Sequence, residues 1–198
     1  MNKVARVHSG SPEAGQFAGS VNDEADIALE ALIQDRDAFW APGSIHSAGG
    51  YDNIVVDDTL GSTTYELAGE PHRDDGPAVI LADGTEQWYC EGVLHRDDDL
   101  PANVSSTGER EWYRYGSQHR DGDKPAVIHP DGSSIYLQDG KLHRGGGNPA
   151  VVYSSGHTEW WIEGELHRPH EYGPARIRSN GDEEFWEQGK IVKGARSH

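Results

Sequence analysis

The chain has 198 residues, a formal charge of −17, 34% apolar residues and a single Cys. Such a field disfavours non-specific binding to nucleic acid and to anionic membranes and favours a basic partner, while one Cys rules out an internal disulfide framework. No apolar run approaches the roughly 20 residues of a membrane span, and the N-terminus MNKVARVHSGSPEAG lacks a hydrophobic signal region, so a cytoplasmic protein without direct nucleic-acid or membrane contact is expected.

Residues 1–19 are rich in Gly, Ser and Ala and read as a flexible leader. Residues 20–50 read as a helical N-terminal cap and linker. Within them NDEADIALEALIQDR (22–36) opens on an Asn cap with acids in the first turn. Ala25, Ala28, Leu29, Leu32 and Ile33 then form one helical stripe.

From 51 to 198 the chain repeats itself six times. Pro77, Pro101, Pro125 and Pro149 are each followed at fixed offsets by a Gly, an aromatic residue, a second Gly and a His. For Pro77 these are Gly84, Trp88, Gly92 and His95. Pro174 opens a copy with Val192 in the His position, and Ile54 opens a degenerate first copy with Gly61, Tyr65, Gly69 and His72. Self-similarity at about 24 residues is the mark of an array in which each unit covers its neighbour's apolar face.

Within a repeat, Asp83-Gly84 and its counterparts sit between β-prone runs and predict a hairpin turn with positive φ at its central residues. The second Gly turns the chain again, so each unit is expected to be two short strands of a long antiparallel meander. Alternation places Ala78, Ala102, Ala126, Ala150 and Ala175 inside, with the aliphatics two residues later. The intervening Val79, Asn103, Val127, Val151 and Arg176 are expected outside. The column Tyr65, Trp88, Trp112, Tyr136, Trp160, Phe185 is expected to line the inner face. Glu183, Glu184, Glu187, Lys190 and Lys193 place charge on the last strand, a guard against edge pairing.

The linking loops read HRDDGPAV, HRDDDLPAN, HRDGDKPAV, HRGGGNPAV and HRPHEYGPAR. With the paired Gly and the aromatic, this pattern resembles MORN-like variant repeats of the HR-x-DGPA type, found in bacterial and bacteriophage proteins, over about residues 54–193. The resemblance implies an all-β, elongated antiparallel meander of six hairpin repeats that serves as a binding or assembly surface. Some MORN arrays bind acidic phospholipids, a use from which the charge of −17 departs.

Three sets of residues invite a function. The second aromatic of each pair, Tyr89, Tyr113, Trp161 and Trp186 (with Leu137 in the same column), is expected on the opposite face from the core column and suits a partner-binding stripe. The leader helix or a second copy of the chain could equally cover it. The His-Arg column supplies Arg73, Arg96, Arg120, Arg144 and Arg168, with rungs about 10 Å apart. It could grip phosphates or carboxylates, or each Arg could pair with loop acids while each His caps backbone groups. Arg144, followed by Gly145 to Gly147, is expected to be freest. His167 and His170 lie close together without a Cys partner, too little for zinc. No nucleophile elbow, HExxH or phosphate-binding loop occurs, and Cys90 is expected to pack as a strand residue.

These features point to a non-enzymatic protein-binding module without metal or cofactor, used as a phage-encoded inhibitor or adaptor on a basic surface of a host protein. The alternatives are a protein that sequesters an anionic nucleotide on the His-Arg column, and a structural component whose sheets join edge to edge as a homo-oligomer.

Overall fold

Two glycine turns per repeat organise the chain, and they are of different kinds. In the computed structural model, which describes residues 53–57 and 59–196, the first turn has positive φ at Gly84, Gly108, Gly132, Gly156 and Gly181, while Asp83 and Asp131 are not left-handed. Gly84 N–H donates to the Leu81 carbonyl and Leu81 N–H to the Thr85 carbonyl. This is a three-residue hairpin loop ending on a left-handed Gly, not the two-residue loop expected. The two-residue loop with both central residues left-handed occurs instead at the second glycine: Glu91-Gly92, Tyr115-Gly116, Asp139-Gly140, Glu163-Gly164 and Gln188-Gly189.

All described residues belong to one compact unit, His46–His198. The expected flexible leader and helical cap lie outside the described residues. The fold is all-β. Each repeat lays two strands side by side in one antiparallel meander. These are Asn53–Asp57 with Ser62–Leu67, Val79–Ile80 with Glu86–Gln87, and Asn103–Val104 with Arg110–Glu111. Val127–Ile128 with Ser134–Ile135, Val151–Val152 with Thr158–Glu159, and Arg176–Ile177 with Glu183–Glu187 follow, and Lys190–Arg196 closes the sheet.

The second to fifth repeats also form a separate two-stranded hairpin each, such as Tyr89–Cys90 with Val93–Leu94 and Trp161–Ile162 with Glu165–Leu166. They therefore contribute four short strands, where the sequence led us to expect two. The break falls at the core aromatic. The N–H groups of Trp88, Trp112, Tyr136 and Trp160 each donate, at 2.8 Å, to the Ala carbonyl of the next repeat, extending the main ladder. Their carbonyls turn the other way and accept from the N–H of the His seven residues later.

Every repeated Ala is fully buried, which explains the residue, since a longer side chain would overpack the site. The intervening position is not the tolerant outer one. Val127 and Val151 are only 4% and 3% exposed, and Val127 packs with Ala126, Leu137, Ile135 and Leu142. The sheet is covered there because the small hairpin brings Leu137 and Leu142 against it. No helix among the described residues is long and apolar enough to cross a membrane.

Candidate binding clefts

The invariant His residues are staples between repeats. Nδ1 of His72, His95, His119, His143 and His167 accepts the backbone N–H of Glu91, Tyr115, Asp139, Glu163 and Gln188 respectively, at 3.0 to 3.4 Å. The five donors are the residues held left-handed at the second turn, with φ between 47° and 50°. Beside each, the Gly N–H donates to the carbonyl preceding the stapling His. Each repeat thus holds the next repeat's strained turn with two bonds. On the other side of the ring, Nε2 of His72, His95 and His119 faces Asp74, Asp97 and Asp121 at 3.2, 3.1 and 2.9 Å.

The Arg column is equally regular. The guanidinium carbons of Arg73, Arg96, Arg120, Arg144 and Arg168 lie 3.6 to 4.1 Å above the ring centroids of Tyr65, Trp88, Trp112, Tyr136 and Trp160, eight residues earlier in each case. This is close enough for a cation–π contact. Arg96, Arg120, Arg144 and Arg168 each donate through Nη1 to the Pro carbonyl of the following Pro-Ala step.

For Arg120 and Arg144 the acid partner comes from one loop earlier than expected. Asp99 takes Arg120 through two bonds, and Lys124 as well, and the Arg120 and Lys124 bonds hold its carboxyl down at about 2. Asp123 takes Arg144 through two bonds, at 2.6 and 3.1 Å, and raises the Arg144 guanidinium above its usual value. Arg144 is therefore not the freest member of the column, because the acid reaches it from 21 residues back. Arg73 bonds Asp75 at 2.6 Å. No carboxylate among the described residues hydrogen-bonds Arg96 or Arg168, and burial lowers both guanidiniums, that of Arg96 against the opposing pull of Glu86.

The second aromatics and the Arg column meet in the same clefts. One cleft of about 560 Å³ lies between Arg73 and Arg96 and is lined by Trp88 and Tyr89. The next, about 300 Å³, lies between Arg96 and Arg120 against Trp112 and Tyr113. A third of about 350 Å³ lies between Arg120 and Arg144 against Tyr136 and Leu137. A fourth of about 360 Å³ lies between Arg144 and Arg168 against Trp160, Trp161 and Tyr172. Tyr89, Tyr113 and Trp161 are half-buried in these walls and Leu137 is buried. Asp74, Asp75, Asp97 and Asp98 line the first cleft and Asp97 to Asp99 and Asp121 the second, whereas no described carboxylate lines the fourth. Tyr172 was not singled out by its repeat position, because it sits on a short 3-10 turn, His170–Tyr172, in the longest linking loop.

Trp186 belongs to a different environment. Arg176 stands in register between Glu159 and Glu184 and bonds both, at 2.8 and 3.0 Å. Trp161 Nε1 donates to Glu159 and Trp186 Nε1 to Glu184. Burial alone would raise the two carboxyls. The bonds from His157, Trp161 and Arg176 to Glu159, and from Arg178 and Trp186 to Glu184, outweigh it and hold both below the usual range. Glu184 is thus a buried member of this network and not an edge guard. Cys90 lies in the strand Tyr89–Cys90, where burial and then the nearby carboxylates push its thiol up to about 12, which favours the protonated thiol at neutral pH.

No family model, curated protein or solved structure matches the chain.

Proposed function

We propose that the array is a non-enzymatic, MORN-like binding module that takes an extended basic segment of a partner protein along its row of clefts and so works as an inhibitor or adaptor. The observation that carries this reading is the recurrence of an aromatic cleft at four successive repeat junctions, with exposed carboxylates on the first two. Strands about 4.8 Å apart, taken two per repeat, set the clefts roughly 10 Å apart. A polyproline II segment has three residues per turn at about 3.1 Å each, and so presents the same face about every 9 Å. Every third side chain of such a ligand meets a successive cleft, where its cationic groups find Asp74, Asp97, Asp98 and Asp121. Aromatic-lined grooves are the usual receptors for this conformation. The same acids, within a net charge of −17, speed encounter with a basic partner and repel an acidic one.

The test is fluorescence anisotropy with two labelled peptides of equal length and charge, one a Pro-Pro-Arg repeat and the other with Arg placed irregularly. The regular peptide is expected to bind more tightly, to release as salt rises, and to lose binding in a folded Tyr89→Ala/Tyr113→Ala variant. Equal, negligible binding of both peptides sinks the proposal.

A further inference from the structure

The fourth cleft differs in chemistry from the others. In the loops that precede it, Asp97-Asp98-Asp99 and Asp121-Gly122-Asp123 occupy the positions filled here by Gly145-Gly146-Gly147. The result is a cleft lined by Arg144, His167 and Arg168 with no carboxylate among the described residues, in a protein whose net charge is −17. Arg144 is already bound to Asp123 through two bonds. Arg168 is not: Nη1 donates to the Pro174 carbonyl at 3.1 Å, Nε is buried without a hydrogen-bond partner, and no carboxylate among the described residues bonds the group. Its lower face is occupied by the Trp160 ring at 4.1 Å, which fixes the plane of the guanidinium.

Two aromatic side chains complete the cleft. Trp161 is oriented by its Nε1 bond to Glu159 at 2.8 Å. Tyr172 is 67% exposed, on a turn closed by its own N–H donating to the Pro169 carbonyl. Aromatic rings beside a guanidinium that no described carboxylate bonds are what a planar ring carrying an anionic group requires. The rings accept stacking, and the guanidinium donates to an anionic oxygen. The volume of about 360 Å³ falls in the lower part of the ~300–1,000 Å³ range of small-ligand sites.

We infer that this cleft is a site for a nucleoside monophosphate, its base stacked on Trp161 and Tyr172 and its phosphate on Arg168. The site is separate from peptide recognition by the acidic clefts and stands or falls without it.

The experiment is titration of the full chain with adenosine 5′-monophosphate, adenosine and inorganic phosphate, followed by tryptophan fluorescence and isothermal calorimetry. The nucleotide is expected to bind at least ten-fold more tightly than either half alone, and more weakly as salt rises. Arg168→Gln is expected to weaken it at least ten-fold. Tyr172→Ala, at an exposed position that the fold does not use, is expected to do the same, whereas Arg96→Gln, the acid-flanked member of the column, leaves binding unchanged. No saturable response to the nucleotide, or equal effects of Arg168→Gln and Arg96→Gln, overturns the inference.

Discussion

The backbone N–H of Glu91 donates to Nδ1 of His72 across 3.0 Å, although the two residues are 19 apart and in different repeats. Glu91 is left-handed, with φ of 47°, a conformation that costs a residue with a Cβ about 1–2 kcal/mol. His72 is fully buried and spends its acceptor on that turn. Removing the ring leaves a cavity and an unsatisfied N–H together. His72→Ala is therefore expected to destabilise the fold by roughly 3 kcal/mol, measured by urea denaturation, with the loss concentrated in the first repeats when followed by hydrogen exchange.

The same strain is open to relief. Gln188 is left-handed with φ of 50°, is exposed, and donates its N–H to His167 Nδ1 at 3.1 Å. Glycine keeps that N–H and adopts the conformation without penalty. Gln188→Gly is expected to raise stability by about 1 kcal/mol, seen as a higher denaturation midpoint with an unchanged slope. A lower midpoint would show that the turn is not strained in solution.

Acid should weaken the array. The folded-state carboxyl of Asp99 stands at about 2 against an ordinary 3.8, because of its bonds to Arg120 and Lys124. Asp83 and Asp131 are lowered by bonds from Thr85 and Ser133, and Asp123 by its bond from Arg144. A lowered folded-state value means that the unfolded chain binds more protons, so this stabilisation is complete above pH 4 and is lost as pH falls from about 4 to about 2. The denaturation midpoint is expected to drop steeply in that window. Asp99→Asn, which tolerates the left-handed φ of 56° found there, should lower stability at pH 7 and flatten the drop.

The network around Arg176 can be tested by exchange. Arg176 occupies the register position held by Val127 and Val151 in earlier repeats. Arg176→Val alone removes the charge shared by Glu159 and Glu184, 9% and 8% exposed, leaving Glu184 with Arg178 and Glu159 with His157, and is expected to cost about 3 kcal/mol. Adding Glu159→Ile and Glu184→Ile copies the Ile135 environment and should restore at least half of that loss, read by thermal denaturation.

The repeat was plain in the sequence because its determinants are local. Gly, Pro and the buried Ala announce themselves by type, and the all-β meander follows from their spacing. What escaped the sequence depends on residues that carry no turn signature or on contacts between loops. Tyr115, Glu163 and Gln188 are poor left-handed residues by type, so nothing marked the second turn as the one with two left-handed positions; it is held by a His one repeat away. Val127 reads as an outward residue by alternation, and it is buried because a hairpin that the chain forms later folds against it. Arg144 looked free because its own loop lacks acids, while Asp123 sits in the preceding loop. The clefts that join Tyr89 to Arg96 and Trp161 to Arg168 were not legible either, since alternation placed these side chains in separate columns.

The His72–Glu91 bond, the Gly92 N–H bond to the Pro71 carbonyl and the Trp88 N–H bond to the Ala102 carbonyl each cross a single junction and no more. A gene encoding such a chain can lose or duplicate one unit in frame, and every surviving junction finds the same complementary surfaces on either side. Natural relatives are therefore expected to differ in length by whole units, with the linking loops drifting fastest. Lineages built this way would tune the reach of the binding row by copying a module, with no new contact to evolve.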